Sequence, residues 1–394
     1  MTCHRFILIP LILLIVRLVS GQLDYHTLHQ EALVVDTHSD VLLQILRGQD
    51  FTRRSTLGHI DLVRLREGGV DVQFFAAWPN PELYKPDKMF TQTLNLIDLF
   101  DKTMNRCSGQ IQLARSPQEI YDLVGSGKIA ACLGVEGGTA IENDLQKLEQ
   151  LYNRGVRYLT LTWNDSPDWA SSAQDEMKPA YPGICGLSEF GRQVVLRLNE
   201  LGMMVDVSHS GEKTFWDVIH ISTKPVIASH SCVYALAPHV RNLKDDQIRA
   251  IAKSNGLICI NFYAGYLDVT FDQKFNHLRK SSAAHMDSVK KQYAQDPSGY
   301  RKYQENYYRN QTRDFRPDLG KIVDHLEYII NLIGDDYVGL GSDFDGFMVS
   351  PAGLDDVSYL PELTRIMLER GFSSERIGKI LGANFMRVFQ AVQP

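Results

Sequence analysis

Cysteine is scarce in this sequence, with six cysteines among 394 residues. Cys3 lies in an apolar N-terminal segment, and the remaining five cannot all pair with one another. None shows the Cys-x-x-Cys spacing typical of zinc sites built from thiolates, which argues against that class of metal site. Cys132 and Cys259 lie inside apolar stretches, where we expect small buried thiols.

Basic patches and long apolar runs are also missing beyond residue 21. The chain carries 41 basic and 47 acidic residues, and the basic ones are not massed together. This balance argues against a nucleic-acid partner. With 44% hydrophobic and 22% charged residues, the chain has an ordinary globular composition, and its length fits either two modest domains or one large α/β barrel.

The first 21 residues, MTCHRFILIPLILLIVRLVSG, differ from the rest. A basic start at Arg5, an apolar run from Phe6 to Val16 and a small-residue end are typical of a cleaved signal peptide. Cleavage removes two basic residues and no acid, so the net charge changes from −6 to −8. We expect residues 22–394 to form one secreted or periplasmic domain without a stable membrane anchor; an uncleaved N-terminal anchor is the alternative.

Eight short apolar stretches alternate with segments of helical periodicity, and they predict strands. They read LVVDTH, VDVQFFAAW, KIAACLGVEG, VRYLTLTWN, GMMVDVSHS, PVIASHS, GLICINFY and YVGLGSDFDG. This alternation predicts an α/β fold, a (β/α)₈ TIM barrel, with a doubly wound open sheet as the alternative. The strands are continuous apolar runs, as expected for strands covered on both faces.

Residues 269–316 break this rhythm between the seventh and eighth predicted strands. The segment is polar, charged and rich in tyrosine, and we expect a helical insertion above the barrel mouth. It would serve as a lid or as an oligomer contact; a surface elaboration without function is the alternative. Asn164 and Asn310 each begin a sequence that fits a glycosylation acceptor.

Polar side chains follow the predicted strands at their C-terminal ends, where such barrels carry their active sites. His38 and Asp40 lie two residues apart after the first strand, so their side chains face the same way. The ends of later strands carry Glu136, His209, His230 and Asp343. Histidine and carboxylate ligands suit zinc or a related divalent metal, and a shared carboxylate can hold two ions. Any one of these residues alone is more often structural, but the whole set predicts a metal site.

One arginine and the remaining histidines each have a functional and a structural interpretation. Arg241, after the sixth strand, offers a planar fork suited to a carboxylate; a surface arginine paired with Asp245 or Asp246 is the alternative. His239 lies next to it. We interpret the histidines in helix-like or loop segments as structural or solvated: His26, His29, His59, His220, His277, His285 and His325.

From about Leu33 to Phe389 the sequence resembles the membrane dipeptidase (renal dipeptidase) family of the metal-dependent amidohydrolase superfamily. The motifs that carry the resemblance are DTHSD, GVEGG, VDVSH, ASHS, RNLKDD, GSDFDG and LGANFMRVF. The resemblance implies a zinc-dependent dipeptidase that hydrolyses dipeptides with a metal-bridging hydroxide, and often a homodimer. It implies two zinc ions per chain, with these roles: His38 and Asp40 on one ion, His209 and His230 on the other, Glu136 bridging both, Asp343 handling the proton of the bridging water, and Arg241 and Tyr266 binding substrate.

One position departs from the family pattern. Where mammalian-type members carry a histidine that contacts the substrate, this sequence has Trp163 in LTLTWN, and we expect Trp163 to take the substrate-binding position. Related bacterial-type sequences carry the tryptophan, so the resemblance implies a bacterial-type secreted member. Two other functions remain open at this point: an amidohydrolase acting on a lactam, lactone or N-acyl amino acid, and a non-catalytic receptor or scaffold on the same barrel.

Overall fold

The structure is a computed structural model, and it describes residues 24–393. The expected signal peptide at residues 1–21 lies outside this range. The strands are β1 Val35–Asp36, β2 Val72–Ala77, β3 Ile111–Leu113, β4 Ile129–Glu136, β5 Val156–Thr160, β6 Met204–Asp206, β7 Val226–Ala228, β8 Leu257–Ile260 and β9 Val338–Leu340. All eight predicted strands are present, and β3 is an additional short strand that pairs with β4 outside the main order.

The other eight strands form a parallel sheet in the order β1-β2-β4-β5-β6-β7-β8-β9, which curls into a barrel. Hydrogen bonds just beyond the strand ends join its first and last strands. The Thr37 N–H donates to the Leu340 carbonyl (3.1 Å), and the Asp343 N–H donates to the His38 carbonyl (3.0 Å). These bonds confirm the barrel and exclude the open sheet, because an open sheet would leave these two strands apart.

The barrel interior is filled by side chains at alternate positions of its strands, among them Phe74, Tyr158 and Cys259. Phe385 and Phe389 join this cluster at the N-terminal end of the barrel. The acids and histidines that follow the strands lie at the opposite, C-terminal mouth. Cys132 and Cys259 are buried free thiols, as expected, and residues 24–393 contain no disulfide.

Helices surround the strands, and many begin where the sequence supplies a capping side chain; Ser188, for example, caps a helix that ends at Gly202. The α-helices are α1 Tyr25–Glu31, α2 Val41–Leu46, α3 Leu62–Glu67, α4 Met89–Arg106, α5 Pro117–Gly125, α6 Leu145–Asn153, α7 Ala173–Glu176, α8 Glu189–Leu201, α9 Glu212–Ile221, α10 Asp245–Lys253, α11 Ala264–Leu267, α12 Val269–Ser281, α13 Ala283–Gln292, α14 Pro297–Gln311, α15 Gly320–Ile333, α16 Leu360–Glu369, α17 Ser374–Gly378 and α18 Asn384–Val392. Within residues 24–393, none of them combines the length and apolar character that crossing a bilayer requires.

The insertion between the predicted seventh and eighth strands is helical, as expected, and lies between β8 and β9. Helices α12, α13 and α14 share a small apolar cluster of their own, built from Phe271, Phe275, Met286 and Tyr308. Val349, from the loop after β9, completes that cluster. The insertion is thereby attached to a loop at the barrel mouth. That the insertion acts as a lid or as an oligomer contact stays a prediction.

Candidate metal centre

Glu136, the last residue of β4, lies between two groups of side chains at the barrel mouth. Its Oε1 is 3.0 Å from His209 Nε2 and 3.5 Å from His230 Nε2. Its Oε2 is 3.6 Å from His38 Nε2, which is in turn 3.9 Å from Asp40 Oδ2. All five side chains are buried. One carboxylate oxygen therefore faces each group, which is the arrangement that a carboxylate bridging two ions requires.

Hydrogen bonding leaves the inward-facing nitrogens of His209 and His230 with free lone pairs. His209 Nδ1 lies 3.0 Å from Asn164 Oδ1, an acceptor, so Nδ1 holds the proton. His230 Nδ1 lies 2.7 Å from Ser229 Oγ, whose own proton goes to Asp206 Oδ2 (2.6 Å). Both Nε2 atoms are then unprotonated, yet they lie 3.0 Å apart. A shared cation accounts for this contact, since two bare lone pairs repel each other.

The first group shows the same need for a cation. His38 Nε2 and Asp40 Oδ1 are buried and have no hydrogen-bond partner among the described residues. Buried polar atoms are rarely left unpaired in folded proteins, and metal coordination is one way of satisfying them. His38 Nδ1 is held by the hydroxyl of Tyr158 at 2.8 Å, which fixes the ring with Nε2 toward Glu136 and Asp40. The residues present therefore fit a bound metal.

The electrostatic potential around His38 is strongly negative. Burial by itself lowers the pKa of His38, but the charges of Glu136, Asp40 and Asp343 raise it to about 10. Burial and then the positive charge of Arg241 lower the pKa of His209 to about 3. His209 is therefore neutral, as a metal ligand must be, and the negative surroundings of His38 favour a positive charge there, which a metal ion would supply in place of the proton.

Asp343 lies beside this group on a turn after β9. Its Oδ2 accepts a hydrogen bond of 2.8 Å from Asn261 Nδ2. Its Oδ1 lies next to Asp40 Oδ2, since a methyl group added at Gly346 would be 2.4 Å from each of the two oxygens. Burial raises the pKa of Asp343 to about 6, with Glu136 acting in the same direction. Such a carboxyl can both accept and release a proton near neutral pH.

Asp36 and Asp206, which precede the candidate ligands His38 and His209, accept hydrogen bonds from different groups. Asp206 accepts from Ser229 Oγ, which contacts His230, so Asp206 orients a candidate ligand through one intermediate. Asp36 instead accepts from the backbone and hydroxyl of Ser342 and from Gln73. Asp36 therefore braces the closure between β1 and β9.

Arg241 is buried at the edge of the same mouth. Its Nη2 donates to the His230 carbonyl (3.1 Å), and its guanidinium lies 5.4 Å from the Tyr266 ring centre. Its Nε has no partner, and within residues 24–393 no carboxylate lies within 4.0 Å of it, Asp245 and Asp246 included. A buried guanidinium with an unused donor is suited to a ligand carboxylate. It borders a cavity of about 270 Å³ that also reaches His209.

Trp163 lies at the rim, half-buried. Its ring centre is 4.7 Å from that of Trp78 and 6.4 Å from that of His209. The tryptophan pair forms an apolar wall beside the candidate ligands. The structure thus brings the predicted site residues to one mouth, with Trp163, Arg241 and Tyr266 around the six acids and histidines.

Sequence reasoning missed four supporting side chains: Tyr158, Asn164, Ser229 and Asn261. The sequence indicated Asn164 only as a glycosylation acceptor, whereas its side chain forms a hydrogen bond with His209. Asn310 is exposed on α14. Asn164, Ser229 and Asn261 follow the ends of β5, β7 and β8, so the rule that found the ligands also covers these three positions. Tyr158 lies inside its strand and gave no such signal.

The known proteins that this chain is similar to are dipeptidases. The model of the membrane dipeptidase family (peptidase family M19) matches residues 23–394. An uncharacterized dipeptidase of Schizosaccharomyces pombe is 32% identical over 392 residues, which are 95% of this chain and 83% of that protein. Dipeptidase verJ of Clonostachys rogersoniana is 32% identical over 350 residues, 86% of this chain and 78% of that protein.

Solved structures give the same result. The probable dipeptidase PvdM from Pseudomonas aeruginosa has a TM-score of 0.77 and 26% identity, covering 94% of this chain and 97% of that one. A metallopeptidase from Rhodobacter sphaeroides, liganded with a phosphinate mimic of the dipeptide L-Ala-D-Ala, has a TM-score of 0.73 and 25% identity, covering 92% and 99%.

Proposed function

Because this chain belongs to the membrane dipeptidase family, peptidase family M19, and is a metallo-dipeptidase, we propose that it holds two zinc ions, one on each side of Glu136. His38 and Asp40 hold one ion, and His209 and His230 hold the other. One observation carries this proposal: the Nε2 atoms of His209 and His230, each with a free lone pair, lie 3.0 Å apart beside Oε1 of Glu136. When bound, the ions lower the pKa of a water from about 15.7 toward 7 and polarise the peptide carbonyl.

Asp343 takes the proton of the attacking water on Oδ1 and returns it to the departing amine. Asn261 supports this role, because its N–H occupies Oδ2 and leaves Oδ1 facing Asp40 and the candidate ligands. A pKa near 6 allows both directions of transfer at neutral pH. Proton transfer by a positioned group of this kind typically contributes a factor of about 10² to 10⁴ in rate.

Arg241 binds the free carboxylate of the substrate with Nε and the rest of its fork. This limits the product side to a single residue and favours dipeptides over longer chains. Tyr266 lies against the guanidinium and keeps its plane fixed. The lactam, lactone or N-acyl amino acid alternative has no observation in its favour, and the enzyme assignment replaces the receptor or scaffold alternative. Secretion and a homodimer remain predictions.

The direct test is metal analysis combined with hydrolysis of a dipeptide panel that includes L-Ala-D-Ala. We expect about two zinc ions per chain, activity that a chelator abolishes and zinc restores, and no activity on N-acyl amino acid amides. A single tightly held ion in a fully active protein would contradict the two-zinc site, and the reverse substrate preference would contradict the grip by Arg241.

A further inference from the structure

The turn that carries Asp343 is held from the side by His59. The His59 N–H donates to Asp345 Oδ1 (2.6 Å), and the Asp345 N–H donates to His59 Nδ1 (3.0 Å). The two residues thus bind each other through backbone and side chain at once. His59 is buried, and its ring stacks on Phe344 with centres 5.1 Å apart. This histidine was expected to be structural or solvated, and the structure shows what it holds.

The same turn has a backbone that needs outside support. Asp343 and Asp345 have φ angles of 60° and 71°, in the left-handed region that residues other than glycine adopt only at a cost. Such angles persist where surrounding contacts fix them. Inside the turn, the Gly346 N–H donates to the Asp343 carbonyl at 3.1 Å. The pair with His59 holds the turn at Asp345, whereas the His38 carbonyl and Asn261 hold Asp343 itself.

The helical insertion touches both flanks of this arrangement. On one flank, Glu305 of α14 accepts a hydrogen bond of 3.4 Å from the N–H of Gly58, the residue before His59. On the other flank, Val349, shortly after the turn, is buried against Phe271 and Tyr308 of the insertion. The insertion therefore supports the loop of His59 and the loop of Asp343 together.

We propose that His59 is a positioning residue for Asp343, acting through Asp345, and that α12 to α14 keep this pair in place. The inference rests on the proposed role of Asp343 in proton transfer. If the pair opens, the turn relaxes toward ordinary φ angles and Oδ1 of Asp343 moves away from the reacting water. A displacement of about 1 Å is enough to cost up to about a hundredfold in rate.

Three substitutions of His59 separate positioning from general stability. Asparagine places its Oδ1 where His59 Nδ1 lies and can still accept from the Asp345 N–H, whereas glutamine places its amide one carbon farther out. We expect His59→Asn to keep kcat within about threefold of wild type, and His59→Gln and His59→Ala to lower kcat by about tenfold to a hundredfold. KM should change less than about twofold, because Arg241 and the metal ligands are untouched.

A matched control comes from α1, a helix that precedes β1 and carries none of the residues at the mouth. His29 is also buried, with its ring nitrogens bonded to Thr364 Oγ1 (2.7 Å) and the Gly68 carbonyl (2.8 Å). His29→Ala should lower Tm by a similar amount and leave kcat unchanged. His59→Asn removes the ring that stacks on Phe344, so its Tm should also fall. Tm should therefore fall in all of these variants, whereas kcat should fall only in His59→Gln and His59→Ala. Zinc content, measured on every variant, should stay at the wild-type value.

A double variant completes the test. His59→Ala and Asp345→Ala remove the two halves of one pair, so the double variant should lose no more kcat than either single variant. Multiplied losses, equal kcat in His59→Asn and His59→Gln, or wild-type kcat in His59→Ala would each overturn the proposal. Asp343→Asn separates the role of Asp343 in proton transfer from the positioning role of His59. Wild-type activity in Asp343→Asn would refute the proton-transfer role, whatever the His59 variants show.

Discussion

At the scale of single residues, the chemistry of the centre depends on which atom of each side chain is left free. Asn164 Oδ1 and Ser229 Oγ accept hydrogen bonds from the Nδ1–H groups of His209 and His230, so that both Nε2 atoms face Glu136 without a proton. Under the proposed function, the Glu136 carboxylate, with one oxygen toward each group, then completes two sites. The same ligand types with the other tautomers would repel a cation.

The first prediction concerns the bridge. Glu136→Gln keeps the size of the side chain but replaces an anion with an amide, which is a poor bridge between two cations. We expect this variant to lose at least one zinc ion per chain and to lose activity in parallel, as measured by metal analysis and steady-state kinetics. Full metal content and full activity would contradict a bridging role for Glu136.

The second prediction concerns the carboxylate grip. Arg241→Ala should lower kcat/KM for a dipeptide by about 2 to 4 kcal/mol, and Arg241→Lys should recover only part, because an ammonium lacks the planar fork. A dipeptide amide has no carboxylate to bind, so it should be a poor substrate whose hydrolysis barely responds to the substitution. Equal losses on the acid and the amide would show that Arg241 is structural.

The third prediction concerns the departure from the mammalian-type pattern. Trp163→Phe keeps the aromatic wall and removes only the indole N–H, so kcat should fall less than about tenfold, or 1.4 kcal/mol. Trp163→Ala opens space beside Trp78 and should broaden the accepted side chains. Kinetics on three dipeptides of increasing size will decide, and a hundredfold loss in Trp163→Phe would make the indole a catalytic donor.

At the scale of elements, the strands supply the positions and the loops supply the chemistry. Each short parallel strand ends at the same mouth, and His209 and Asp343 adopt left-handed backbone angles there, where a loop begins to turn over the mouth. The insertion adds a second layer, because its apolar cluster is separate from the barrel core and includes Val349 from a mouth loop.

The fourth prediction belongs to that cluster. Phe275 is buried among α12, α13 and α14, so Phe275→Ala should cost about 3 kcal/mol or more of local stability. We expect faster proteolytic cleavage within residues 269–316 and a lower kcat, with zinc content unchanged. Unchanged cleavage would mean that the insertion does not open as a separate unit, and a normal kcat together with faster cleavage would mean that it does not support the mouth.

At the scale of the whole molecule, the metal centre joins segments from β1 to β9. Its buried carboxylates repel one another without cations, since the pKa of Asp40 is raised first by burial and then by the charge of Glu136. Metal binding should therefore stabilise the entire barrel.

The fifth prediction follows from this linkage. Removal of zinc by a chelator should lower Tm, and zinc at about a thousand times its Kd should restore about 4 kcal/mol of stability. Scanning calorimetry of the metal-free and reloaded protein measures this difference. The Glu136→Gln variant should show a smaller gain from zinc, and an equal gain would place the stabilising ion elsewhere.

The sequence by itself determined the barrel and the set of candidate ligands. Apolar strands alternating with helices permit few architectures, and parallel strands bring their C-terminal ends to one mouth, so residue type and position along the chain were sufficient. Trp163, Arg241 and Tyr266 came instead from resemblance and from local motifs, and the structure places them around that mouth.

Only the tertiary structure decided how those side chains are held. Asn261 and Asp343 are 82 positions apart, and His59 and Asp345 are 286 apart, yet each pair meets within 3.0 Å. The sequence reading put His59 in one class with His277, which is exposed on α12. Contacts of this kind depend on how loops from different strands pack over the mouth, and that packing is fixed by the fold as a whole.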